Sequence, residues 1–201
     1  MTIAPEAADA APAPGTEGPH HLTSVRSVAA TAHPLRHRLL DLIDVYGPAS
    51  AARLAERTGM PLPVVEKHLG VLRDGGLVEP ESGIDAPLRW RRVSAQYRTL
   101  TEELPDDPIS KAVVRAMQAV NRDRHDTLLQ TWTVLRESFD EGWRASAFTT
   151  DSWLWLSPGE LGELREQVCA LFDTWARRQL PDDGADRRPV HVLARAVRTE
   201  P

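Results

Sequence analysis

Seven cationic side chains fall between Arg53 and Arg92, and they form two groups. Arg53, Arg57, Lys67 and Arg73, with His68 among them, lie within apolar repeats of helical period. Arg89, Arg91 and Arg92 flank Trp90 in a short stretch of strand-like character. Guanidinium and ammonium groups so placed suit phosphate oxygens, and a few of them can also donate to base edges. Arg89 and Arg91, two residues apart, share one face of a strand, an arrangement that fits a nucleic-acid backbone or a minor groove. Catalytic chemistry has no comparable cluster. The chain carries no glycine-rich phosphate loop, nucleophile elbow or zinc-hydrolase helix, and it is not expected to be an enzyme.

The charge distribution supports this division. The 201 residues carry a formal charge of −5, but residues 21–100 hold 11 Arg and Lys against 8 Asp and Glu. Residues 101–201 hold 13 against 18, so positive charge gathers where the two groups lie. No apolar run approaches the roughly 18 residues that would span a bilayer, so no membrane association is expected. Residues 1–19, rich in Ala and Pro, lack the basic and apolar regions of a signal peptide and read as a disordered tail, which points to the cytoplasm. The single cysteine, Cys169, excludes an internal disulfide and a thiolate-clustered metal site. It is expected to be a small buried residue beside the inner face of a helix, with a nucleophile or redox sensor as the alternative.

Periodicity supplies the elements that must hold the cations. A short helix around Val25, Val28 and Ala29 ends near Ala32, and His33-Pro34 opens a second that Gly47-Pro48 stops. Ser50 caps a third helix, which runs to Gly59. A fourth, from about Leu62 to Asp74, buries Val65, Leu69 and Leu72 and ends at Gly75-Gly76. Leu77–Pro80 and Leu88–Ser94 then form a hairpin around the loop Glu81–Pro87.

The blocks Ala32–Arg36, Leu54–Arg57 and His68–Val78, with their spacing, resemble the ArsR/SmtB-type family of bacterial winged helix-turn-helix regulators. The resemblance covers about 70 of the 201 residues. It implies a homodimer that places the fourth helix in the major groove of double-stranded DNA and the hairpin, or wing, near the backbone. The candidate DNA contacts are then Arg53, Arg57, Pro63, Val64, Glu66, Lys67, His68, Arg73, Arg89, Arg91 and Arg92. The start of the fourth helix departs from the family's polar character. Leu62, Pro63 and Val64 offer only thymine-methyl contacts, and Glu66 accepts from cytosine but repels phosphate. This face therefore also fits a second reading, a protein-interaction module whose apolar recognition surface takes a protein partner.

The family's metal-sensing chemistry is missing. The third helix has no cysteine pair. Asp123-Arg124-His125 begins a second type of site, but the matching later positions are Arg136 and Phe139, which cannot ligate. His20-His21, beside the tail, is expected to be solvated. No cofactor is expected.

After an acidic, proline-containing linker (Thr101–Pro108), apolar residues recur at three- and four-residue steps to Phe139. A helix of about 30 residues would be about 45 Å long, more than a small domain needs, so it is expected to meet a second subunit. Its candidate dimerisation residues are Val113, Met117, Val120, Leu128, Trp132 and Leu135. Beyond it, Arg144–Leu156 and Pro189–Val197 read as strands around a helix opened by the capping box Ser157-Pro158-Gly159-Glu160. Trp132, Trp153, Trp155 and Trp175 belong to a core or, alternatively, to a core that also lines a pocket for a small organic effector.

The expected fold is mostly α with small β. Residues 1–19 are the tail and 20–100 the winged helix-turn-helix domain. Residues 101–140 are the linker and long dimerisation helix, and 141–201 a small β-α-β segment with the candidate effector site. The expected function is that of a homodimeric DNA-binding regulator, a repressor.

Overall fold

The computed structural model describes residues 20–81, 88–94, 97–99 and 101–200. The expected N-terminal tail and nearly all of the loop Glu81–Pro87 lie outside the described residues. The chain divides into two units, Met1–Ser138 and Phe139–Pro201.

The first unit is a winged helix-turn-helix. Strand β1 (His20–Leu22) precedes helices α1 (Val25–Thr31), α2 (Pro34–Tyr46), α3 (Ala51–Thr58) and α4 (Leu62–Asp74). Local chemistry sets the helix ends. Ser24 and Ser27 form a capping box on α1, and His33 caps α2 by accepting the Leu35 N–H at Nδ1. Ser50 caps α3, which Gly59 ends in a left-handed conformation (φ 69°). Val28, Leu39, Leu54, Val65, Leu69 and Leu72 are fully buried where these helices meet.

The wing is an antiparallel pair, β2 (Val78–Glu81) and β3 (Arg89–Arg92), in which Glu79 faces Arg91 and Glu81 faces Arg89. A second pair was not legible in the sequence: β1 runs parallel to β4 (Tyr97–Thr99), with His20 opposite Tyr97. Strands of three residues are too short for alternation to register, and their pairing spans most of the unit. His20 and His21 are strand residues; His21 is exposed, in line with the expected solvation, and His20 is half-buried.

Asp107 caps α5 (Pro108–Leu135) by accepting the Ile109 and Ser110 N–H groups, and Leu104 anchors the preceding linker in the core. The proximal half of α5 packs on α1. Met117 is buried there and Val113 lies against the same core. These two expected dimerisation residues are spent inside the domain, because the helix must cover α1 before it can extend past it.

In the second unit, α6 (Glu141–Ser146) is capped by Asp140 and α7 (Pro158–Arg177) by the Ser157–Glu160 capping box. The strand expected over Arg144–Leu156 is replaced by the end of α6 and an extended segment, and Pro189–Val197 forms no strand. Alternating apolar residues supply a face but no ladder, and a strand exists only when a second strand takes up its N–H and C=O groups. The β-α-β expectation for this unit is thus corrected to two helices with extended flanks. No described residue of this unit is fully buried. No described helix is long and apolar enough to cross a membrane.

The closest packing in the reading head lies at the end of α4. A Cβ placed on Gly75 would stand 2.6 Å from Ala30 Cβ, whereas one on Gly70, along the outer side of α4, would meet nothing within 4 Å. Gly75→Ala should therefore lower the free energy of unfolding by about 1–3 kcal/mol. Gly70→Ala should raise it by up to about 1 kcal/mol through helix propensity. Urea denaturation of the two variants checks both signs.

Candidate nucleic-acid interface

Helix α4 turns about 100° per residue, so its buried stripe of Val65, Leu69 and Leu72 fixes what faces outward. Opposite the stripe lie Pro63, Lys67, Gly70 and Asp74, with Glu66 and Arg73 on one flank and Val64 and Val71 on the other. Pro63, Glu66 and Lys67 are exposed, while Val64 and His68 are half-buried. Lys67 forms no ion pair among the described residues and stands near the middle of the outer ridge. No side chain caps the start of this helix, where Pro61 O accepts the Val64 and Val65 N–H groups.

His68 is not a free reading group. Its ring lies 4.4 Å from that of His33, and its Nδ1 is buried without a hydrogen-bond partner. Burial, followed by the charges of His33, Arg36 and Lys67, holds its pKa below the ordinary value. Burial and Arg36 do the same for His33. Both rings are therefore neutral at pH 7, and the pair ties the start of α2 to the flank of α4.

Most candidate arginines are held by their own domain. Arg53 pairs with Glu56 at 2.8 Å, Arg73 with Asp74 at 2.9 Å, and Arg91 with Glu79 across the wing. Arg57 stacks 3.8 Å over the Tyr46 ring, a partner that the sequence did not suggest. Arg89 donates from Nε and Nη2 to the Pro48 carbonyl at 3.0 and 2.6 Å. Exposed ion pairs are worth about 0–1 kcal/mol, so a phosphate can displace such a carboxylate at little cost.

Arg92 is the exception, and its place among the candidate contacts is corrected. Strand alternation turns it inward beside Trp90, and it is only 8% exposed. Its Nε donates to Ser94 O at 3.2 Å and lies 3.4 Å from Asp44 Oδ1, while its guanidinium sits 5.4 Å from the Tyr97 ring centre. A residue so enclosed holds the wing root and cannot reach DNA.

Arg92 belongs to a polar cluster along one face of α2, formed by His37, Asp41 and Asp44. Arg124 of α5 clasps Asp41 at 3.1 Å (Nε to Oδ2) and 2.5 Å (Nη2 to Oδ1). His37 is 4% exposed, with Tyr97 Oη 3.5 Å from its Nδ1. The sequence carries no sign of the partner that Arg124 takes up, 83 residues away in the chain.

Beyond Arg124 the apolar face of α5 continues, and the domain no longer covers it. Leu128 and Leu135 are 38% and 45% exposed and Trp132 is half-buried, as is Val120 one turn before Arg124. The tryptophans of the second unit do not form the expected core. Trp153, Trp155 and Trp175 are all exposed, and Arg178 stacks 4.3 Å over Trp175. Trp132 belongs to the first unit and the other three to the second. Cys169 is half-buried on α7, less enclosed than expected.

Residues 31–81 match a family model described as a helix-turn-helix domain. Among solved structures, the chain is similar to the homodimeric winged helix-turn-helix DNA-binding domain (fragment 1–100) of a Mycobacterium bovis protein described as a possible ArsR-family transcriptional regulator. The identity is 24%, the match covers 50% of this chain and 77% of that one, and the TM-score is 0.33. No curated protein matches the chain.

Burial, with the charge of Arg124 as the next cause, lowers the His37 pKa from 6.5 to about 4. The unfolded chain therefore takes up this proton first. The His37 contribution to stability is constant above pH 6.5, falls as pH drops from 6.5 to 4 and levels off below, and Asp44, whose burial raises its pKa from 3.8 to about 6, opposes it with a gain as pH falls through 6. For His37 the whole window is worth about 3 kcal/mol. His37→Gln should remove this fall, so that unfolding free energy at pH 4 relative to pH 7 is higher than in the unmodified chain, as measured by urea denaturation; an unchanged slope would mean that the ring is solvated.

Proposed function

We propose that this helix-turn-helix protein is a transcriptional regulator that binds duplex DNA as a homodimer and represses by occupying its site. The observation that carries the reading is the outer ridge of α4: Lys67, central and without an ion pair among the described residues, on a helix whose opposite face is fully buried, in a domain whose wing presents Arg89 and Arg91 on one face. Arg53, Arg57, Pro63, Val64, Glu66 and Arg73 complete the proposed contact surface, in which phosphate contacts position and the few base-edge contacts specify.

The proposed dimer uses the distal half of α5. At 28 residues the helix is about 42 Å long, and its covered face runs out past Arg124. Leu128, Trp132 and Leu135 continue that face, with Val120 at its root. We assign regulation by a small organic effector to the second unit, whose exposed Trp153, Trp155 and Trp175 offer apolar contact surface.

A second reading is favoured by one feature of the surface. Met60 and Leu62, at the start of α4, are exposed, and Arg53, Arg73 and Arg91 are already neutralised by carboxylates. A protein partner would find there an apolar patch with little net charge. Salt separates the two readings, because each neutralised phosphate releases counterions and a largely apolar contact does not.

Binding to a fragment of the chain's own promoter region should weaken steeply between low and physiological salt, and Lys67→Ala should reduce the log–log salt slope by about 1. Affinity that does not change with salt, together with a protein recovered from lysate, would favour the second reading. Leu128→Asp combined with Leu135→Asp should convert the dimer to a monomer in sedimentation equilibrium while leaving the unfolding transition of the first unit in place.

A further inference from the structure

Helix α2 touches α1, α3, α4 and β3 of the winged helix and, through one ion pair, α5. At its start, His33 packs against His68 on α4. Near its middle, Asp41 receives both prongs of Arg124 from α5. The next turn carries Asp44, which lies against Arg92 of the wing. Just beyond its end, Pro48 O takes Arg89, and Ala49 exchanges two backbone hydrogen bonds with Trp90 at 3.1 and 2.8 Å. His37, Asp41 and Asp44 are spaced i, i+4, i+7, so one face of one helix gathers contacts from α5, β3 and β4.

The position of Arg124 along α5 gives this face a direction. Met117, seven residues before it, is buried in the domain core, and Leu128, four residues after it, is exposed. Arg124 thus stands where the apolar face of α5 passes from buried to more exposed. A helix whose buried stripe is close-packed moves as a body and does not deform locally. A shift of α5 at Arg124 would therefore carry α2 with it, and through α2 both the flank of α4 and the root of the wing.

We propose that α2 is a coupling bar: the Arg124–Asp41 clasp transmits the position of the distal α5 helix to the wing through the Asp44–Arg92 contact and the Pro48–Ala49 bridge. DNA affinity and the state of the distal helix are then linked, each altering the other by the same factor. This consequence for DNA rests on the function proposed above, whereas the mechanical link within the domain does not.

The test is hydrogen–deuterium exchange on the full-length chain. Arg124→Gln should speed exchange in β3 and at the end of α2 roughly fivefold or more, a typical size for such coupling. Lys111→Gln, which removes a different ion pair of α5 (with Asp106 at 2.5 Å), should leave the wing unchanged. Asp41→Asn should match Arg124→Gln, and the double variant should be no worse than either single, because both break one clasp. Arg124→Lys, which keeps the charge but loses the fork, should fall between. Faster exchange confined to α5, or spread evenly over α1–α4, would overturn the bar. In a parallel arm, Arg124→Gln should weaken binding to the promoter fragment. If the wild type shows no salt-dependent DNA binding, the proposed function fails on its own, and the exchange pattern still decides the bar.

Discussion

Burial of Val65, Leu69 and Leu72 is the constraint from which the remaining features of the reading head follow. Three side chains on one stripe leave α4 no freedom to roll, because turning any of them toward water forfeits about 1.5–3 kcal/mol of burial. With the roll fixed, the outward ridge of Pro63, Lys67 and Gly70 is fixed too. The same stripe draws the end of α4 against α1 so closely that only a glycine fits at position 75. The wing begins three residues later, at Val78. Its reach toward a ligand is therefore set by packing on the far side of the helix.

Around that fixed helix the charged groups fall into two populations. Those at the surface, Arg53, Arg73 and Arg91, are paired with nearby carboxylates in contacts weak enough to exchange for phosphate. Those under the surface, Arg92 and Arg124, are committed to α2 and hold the wing and the long helix in place. Both populations are arginine. What separates them is the direction of the strand or helix at each residue, which decides whether a guanidinium meets solvent or Asp44 and Asp41.

The sequence displayed much of this architecture. Helices α2 and α3 begin at His33-Pro34 and Ser50, and α2, α3 and α4 end at Gly47, Gly59 and Gly75, since capping and glycine conformations are local chemistry. The stripes of α2 and α4, the strands of the wing and the overrun of α5 were equally readable, because burial on one face leaves a periodic trace. The α7 capping box was readable for the same reason. The strands expected on either side of α7 were not formed, since alternation records a two-faced segment without saying what pairs with it. The β1–β4 pair escaped notice for the converse reason: its hydrogen bonds are real, but three residues hold no pattern.

The amino-acid sequence by itself thus determined which segments are helical, which face of each is apolar, and that positive charge collects near the fourth helix and the wing. Only the tertiary structure decided which members of that charged set can reach a ligand. Arg91 and Arg92 are neighbours in the chain and identical in chemistry, yet one faces solvent and the other lies against Asp44 and Tyr97. The tertiary structure likewise divided α5 into a half that completes its own domain and a half with its apolar face uncovered. The reason is physical. Propensity, capping and periodicity depend on residues within a few positions of each other. Burial and ion pairing depend on which distant segment arrives opposite, as Arg124 does to Asp41.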